Sequence, residues 1–119
     1  QQARVDRLLE RFAQSPFAPP SVKEAQAEAG EDVYEALVGL GELFPVSADV
    51  VFRKQDYQQM VALVYRHFER EETLTAAQFR DQLNTSRRYV LALLEHLDAI
   101  GVTVRQGDVR RLRKSPANR

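Results

Sequence analysis

The chain has 119 residues, no Cys, and 17 basic side chains balanced by 17 acidic ones. That length fits one ordinary domain or two very small ones, and the lack of Cys excludes disulfides, cysteine-ligated zinc and thiol catalysis. With 44% hydrophobic and 29% charged residues, the composition is that of a globular protein and not of a disordered one. No apolar run approaches the ~20 residues of a membrane helix. No signal peptide is visible and the chain opens Gln1-Gln2, so we expect a cytoplasmic piece of a longer protein.

The balanced total hides an asymmetry. Residues 1–56 carry six basic and ten acidic side chains, 6 − 10 = −4, and residues 57–119 carry eleven and seven, 11 − 7 = +4. The stretch 84–119 alone has eight basic residues against Glu95, Asp98 and Asp108, for +5. A split of this kind points to a polyanionic partner on one half only. A merely solvated surface would mix the signs throughout.

Val5, Leu8, Leu9 and Phe12 fall at the spacing of a short amphipathic helix, which Pro16, Pro19 and Pro20 end. Ser21 and Glu24 form the signature of a capping box for a second helix that stops at Gly30. A third helix is predicted with Val33, Leu37, Leu40 and Phe44 on one side. Two short strands follow, at Val46 and at Val50-Val51-Phe52. The second half repeats this order. Tyr57, Met60, Val61, Val64 and Phe68 make a helical stripe; Thr75 and Gln78 make another capping box, followed by Phe79 and Leu83; Ser86 starts a helix carrying Val90, Leu93, Leu94, Leu97 and Ile100. Gly101 ends it, and 102–105 with 109–112 alternate as a hairpin around Gln106-Gly107-Asp108.

The halves register at a shift of 56–57 residues: Val5 with Val61, Phe12 with Phe68, Leu37 with Leu94, Leu40 with Leu97. Similarity at fixed spacing indicates tandem copies of one unit. Three helices followed by a β-hairpin are a helix-turn-helix with a wing. The expected fold class is therefore mostly α with small β-hairpins, α+β, as two tandem winged-helix domains. Their bounds are 1–56, an acidic spacer or scaffold, and 57–119, a basic nucleic-acid-binding head. Copies this small are marginal alone, so we expect them to share an interface.

Catalytic constellations are poor. His67 and His96 lie in different helices without metal-ligand or paired-carboxylate spacing, and the five glycines form no phosphate loop. We expect no enzyme activity, no metal and no cofactor. The basic residues are more informative. A helical wheel points Arg88 away from the core with Ala92 and Glu95, while Arg87 and Tyr89 flank the apolar stripe. Cations in a first turn oppose the helix dipole by about 0.3–1 kcal/mol each, so two adjacent arginines there call for an anionic partner or serve only solubility. The wing adds Arg105, Arg110, Arg111 and Arg113, with Lys114 beyond, and Leu112 is expected to turn to the core. The tight turn by itself explains Gly107, which also permits close approach to a sugar-phosphate. Tyr89 suits base stacking, but packing is the commoner role. The first half has Glu31, Asp32 and Glu35 at the matching helix start and Asp49 in its wing.

The run Phe79-Arg80-Asp81-Gln82-Leu83-Asn84-Thr85-Ser86-Arg87-Arg88-Tyr89, with Leu93-Leu94-Glu95-His96-Leu97-Asp98, Gly101-Val102-Thr103 and Gly107-Asp108-Val109-Arg110, resembles the C-terminal end of the bacterial selenocysteine-specific translation elongation factor. The likeness is close over 79–112 and mainly architectural before that. In that family a GTPase body is followed by four winged helices, the last of which holds the selenocysteine-insertion (SECIS) hairpin of the messenger RNA. The resemblance implies that this chain is the third and fourth of these and acts as a monomer. It implies that Ser86, Arg87, Arg88, Tyr89, Arg105, Gln106, Gly107, Asp108, Arg110 and Arg111 meet the RNA. Ribosome and selenocysteyl-tRNA would be reached only through other parts of the factor. Stem-loop RNA is read by phosphate geometry and splayed bases, which suits such a basic surface. Two readings of other classes stand beside it. One is a double-stranded DNA regulator, although Ala92, Glu95 and Ala99 offer little for base readout. The other is a protein–protein module.

Overall fold

The computed structural model describes residues 1–114; Arg119, counted in the basic tail, lies outside them. The chain divides into two compact units, Gln1–Gln59 and Met60–Arg119. Each has the winged-helix order of helices followed by a hairpin.

In the first unit, α1 (Gln2–Gln14), α2 (Val22–Ala29) and α3 (Glu31–Gly39) precede the antiparallel pair β1 (Leu43–Pro45) and β2 (Val51–Arg53). Leu8 and Phe12, four apart on α1, are fully buried with Ala25, Ala29, Tyr34, Leu37, Leu43 and Val51. Truncating a core aromatic such as Phe12 to Ala costs about 3–5 kcal/mol. The predicted capping box closes: Ser21 Oγ accepts from Glu24 N, and Ser21 N donates to Glu24 Oε1 at 2.9 Å. The first strand begins earlier than expected, at Leu43 and not Val46, while the second falls close to its expected place. Gly41, with φ +79°, turns the chain out of α3, so Phe44 lies in β1 and its ring meets Tyr57 at 4.2 Å. Leu40, expected in the core, is 77% exposed because it caps α3 as the chain leaves the helix.

Helix α4 (Lys54–Arg70) follows β2 directly, and the division between the units falls within it. Its first turn is fixed by buried Asp56, which accepts from Arg53 Nε at 2.7 Å and Nη2 at 3.0 Å. The second unit continues with β3 (Leu74–Thr75), α5 (Ala76–Leu83), α6 (Arg87–Ala99), β4 (Thr103–Gln106) and β5 (Val109–Leu112). Its sheet has three strands in the order β3-β5-β4. The two-residue β3 was missed because it is too short to show alternation. The Thr75–Gln78 capping box forms as predicted. The wing turn is the two-residue loop Gly107-Asp108, with Gln106 paired to Val109 and Gly107 at φ +64°. Glycine at the first central position fits a hairpin turn that needs positive φ there.

The repeat holds, but its register differs from the sequence estimate. The caps Ser21 and Thr75 match at a shift of 54, and the helix starts Gly30 and Ser86 at 56. The ends of α3 and α6 match at 60. There Glu42 N donates to Leu37 O and Val102 N to Leu97 O, each at 2.9 Å, around Gly41 and Gly101. Leu37 therefore corresponds to Leu97, and Leu40 to Ile100, which is likewise exposed at 55%. The shift widens because α6 has 13 residues and α3 has 9. That difference of four is about one turn.

Candidate nucleic-acid interface

Counted back from their matched ends, α3 and α6 coincide from Glu31 and Leu91 onward. Arg87, Arg88, Tyr89 and Val90 therefore form a turn that the first unit lacks. Val90 is buried and anchors this turn, while Arg87 and Arg88 are exposed. Arg88 lies over the Tyr89 ring, 5.1 Å from its centroid, with Nη1 3.4 Å from the Tyr89 hydroxyl. Neither arginine is ion-paired to a carboxylate among the described residues. Ser86 occupies the N-cap position in extended backbone, and its hydroxyl makes no capping bond. The start of α6 thus combines helix N–H groups, two cations and a polarisable ring.

Ala92, expected on the exposed side with Arg88 and Glu95, is buried at 8%. Helix α6 packs against both α5 and β4, so its buried face is wider than one stripe. Only Glu95 and Ala99 remain exposed on the side expected to follow Arg88.

The wing arginines divide into two kinds. Arg105, Arg111 and Arg113 are exposed, as is Lys114. Arg105 Nε donates to Gly107 O at 2.9 Å across the turn. Arg111 Nε donates to Gln106 Oε1 at 2.8 Å, and its Nη1 lies 3.7 Å from Glu72 Oε2. So exposed a pair is worth about 0–1 kcal/mol and leaves Arg111 able to exchange partners. Asp108 is exposed at the turn.

Arg110 contradicts its assignment to the RNA-facing set, because it is buried at 2%. Its Nη2 donates to Asp98 Oδ2 at 2.9 Å and its Nε to the same oxygen at 3.3 Å. Asp98 Oδ1 accepts from the buried Thr103 hydroxyl at 2.6 Å. Leu112, expected inward, is 38% exposed. On that face of β5 the inward position belongs to Arg110, two residues earlier, because the Asp98 carboxylate on α6 draws it in. Sequence reading did not single out Asp98 or Thr103. The only available signal was an acid in the last turn of a helix followed by a hairpin, which is common.

The histidines are structural. His67 Nε2 lies 2.8 Å from Thr73 O and Nδ1 3.0 Å from Gln82 Nε2, tying α4 to the residue before β3 and to α5. His96 is half-buried, and that burial lowers its pKa by penalising the charged form. Among the described residues no cluster of His, Asp and Glu could hold a metal, and no helix is long and apolar enough to cross a membrane.

Comparisons with known proteins agree with this geometry. A family model described as the winged helix of elongation factor SelB matches residues 66–112; it is named for the factor's third winged helix, where the resemblance implied the fourth. The selenocysteine-specific elongation factor of Desulfomicrobium baculatum is 29% identical over 109 residues, 87% of this chain. The chain spans 17% of that relative's length. Among solved structures, the mRNA-binding domain of SelB from E. coli in complex with SECIS RNA superposes with a TM-score of 0.71 at 20% identity, covering 93% of this chain and 97% of that one. A bacterial selenocysteine-specific elongation factor, EF-Sec, gives 0.70 at 17% identity, covering 96% of this chain and 20% of that one. Matched over residues 66–112 by the family model and along most of its length by these relatives, the chain is similar to the tandem winged-helix region of selenocysteine-specific elongation factors (SelB).

Proposed function

We propose that this chain binds a SECIS-type messenger-RNA hairpin through its second unit, with the added turn of α6 and the wing as the contact surface. The observation that carries the reading is the pair Arg87 and Arg88, exposed and unpaired with any described carboxylate on a turn absent from the first unit. The solved SelB domain in complex with SECIS RNA supports the same partner. The proposed contacts are Arg87 and Arg88 with Ser86 and Tyr89 on α6, and Arg105, Gln106, Gly107, Asp108 and Arg111 on the wing. Arg110 is withdrawn from that set. The first unit, with its acidic helix start, is assigned a spacer role.

The chain acts by binding, in the cytoplasm. GTP hydrolysis and tRNA carriage, implied for the whole factor, are assigned to none of its residues. With Ala92 buried, α6 has still less to offer a DNA major groove than its sequence suggested. Titrating the chain with a SECIS hairpin, a scrambled hairpin and a DNA duplex at one fixed salt concentration tests the reading. The cognate hairpin should bind tightest; equal affinity for all three would refute it.

A further inference from the structure

The matched ends of the two units bring three positions into correspondence. Val38, Leu43 and Val51 of the first unit answer to Asp98, Thr103 and Arg110 of the second. The equivalence follows from the hydrogen bonds around Gly41 and Gly101 and from the ladders, where Leu43 opposes Arg53 and Thr103 opposes Leu112. In the first unit the trio is apolar: Leu43 and Val51 are core members and Val38 packs against them. In the second it is an ion pair with a hydroxyl. Asp98 accepts from Arg110 on β5 and from Thr103 on β4, so one carboxylate at the end of α6 holds both strands of the wing.

A buried ion pair is a poor stabiliser next to apolar residues of similar volume, because desolvating both charges offsets their attraction. The first unit demonstrates that this fold accepts the apolar solution at the same three positions. What the polar trio supplies instead is direction. Forked, short hydrogen bonds fix an angle between helix and wing, whereas apolar contact tolerates sliding.

We infer that Asp98, Thr103 and Arg110 are positioning residues, a clamp that fixes the wing on α6 so that the arginines of both address one RNA backbone. None of the three touches RNA. The inference rests on the proposed hairpin binding and deepens it.

The test transplants the first unit's solution into the full chain by combining Asp98→Val, Thr103→Leu and Arg110→Val. Three quantities are measured: the thermal melt, amide exchange across residues 105–109, and hairpin titrations over a range of salt. The fold should survive with comparable melting, and the wing amides should exchange faster. Hairpin affinity should fall by about tenfold, with an unchanged slope against salt. Unaltered wing exchange and affinity in the folded variant would overturn the clamp. So would a slope reduced by about 0.7–0.9, the mark of a lost phosphate contact. If the triple variant does not fold, Thr103→Val, which removes only the 2.6 Å bond, decides by the same readouts. Failure of the unaltered chain to bind any hairpin would sink the functional reading instead, and wing exchange would then judge the clamp alone.

Discussion

The two units share caps, turns and strand pairing, yet they differ in charge, in the start of the third helix and in what lies under the wing. The first unit begins α3 with Glu31 and Asp32; the second begins α6 with a further turn bearing Arg87 and Arg88. The first roots its wing in Leu43 and Val51; the second roots it in Thr103 and Arg110. On the proposed function, the comparison teaches that one scaffold, used twice in a chain, can carry a binding surface in one copy without a change of fold. One helical turn and one substituted core trio would suffice, since a winged helix already exposes the start of its third helix and its hairpin.

The largest expected effect breaks the comparison at the core. Arg110→Ala leaves the half-buried Asp98 with only its Thr103 bond and should destabilise the chain by about 2–3 kcal/mol, short of the cost of breaking a fully buried pair, against a smaller loss for Arg110→Met, measured by denaturant unfolding. A neutral Arg110→Ala would mean that the arginine is not structural. Next comes the added turn. Arg88→Ala should weaken hairpin binding by about 1–3 kcal/mol, with Arg87→Ala similar or somewhat less. Stability should hold, or rise by up to about 0.3–1 kcal/mol, since a cation leaves the positive end of a helix. Arg88→Lys should recover only part, because lysine lacks the planar fork. Unchanged titrations for both alanine variants would remove the site.

A smaller effect separates the two kinds of wing arginine. Arg111→Ala should weaken cognate and scrambled hairpins alike and lower the salt slope by about 0.7–0.9, while leaving the melt nearly unmoved. A change in discrimination would make Arg111 a base reader. The smallest expected effect is that of His96, whose pKa is lowered on folding. The unfolded chain then holds more of this proton, so the contribution is complete above the ordinary value of 6.5 and fades as pH falls below it. A slight loss of stability between pH 7 and pH 5, absent in His96→Gln, is the expected result. An equal loss in both proteins would assign it elsewhere.

The amino-acid sequence alone determined the caps, the helix stripes, the order of elements and the charge split. Each of these is local, written in residues three or four apart or in a simple count. Ser21 with Glu24, and Thr75 with Gln78, could be read directly because a capping box closes within one turn. Tertiary structure decided which side chains face inward where local pattern is silent. Leu40 and Ile100 belong to apolar stripes, yet the chain turns away at Gly41 and Gly101 and leaves them in solvent. Arg110 looked like one more wing cation, since nothing in the strand distinguishes it from Arg111. Its partner Asp98 lies 12 residues earlier on another element, and only the folded chain brings that carboxylate beneath the sheet. An arginine's environment is set by whichever charge meets it in three dimensions, and that meeting is not encoded in any short stretch of sequence.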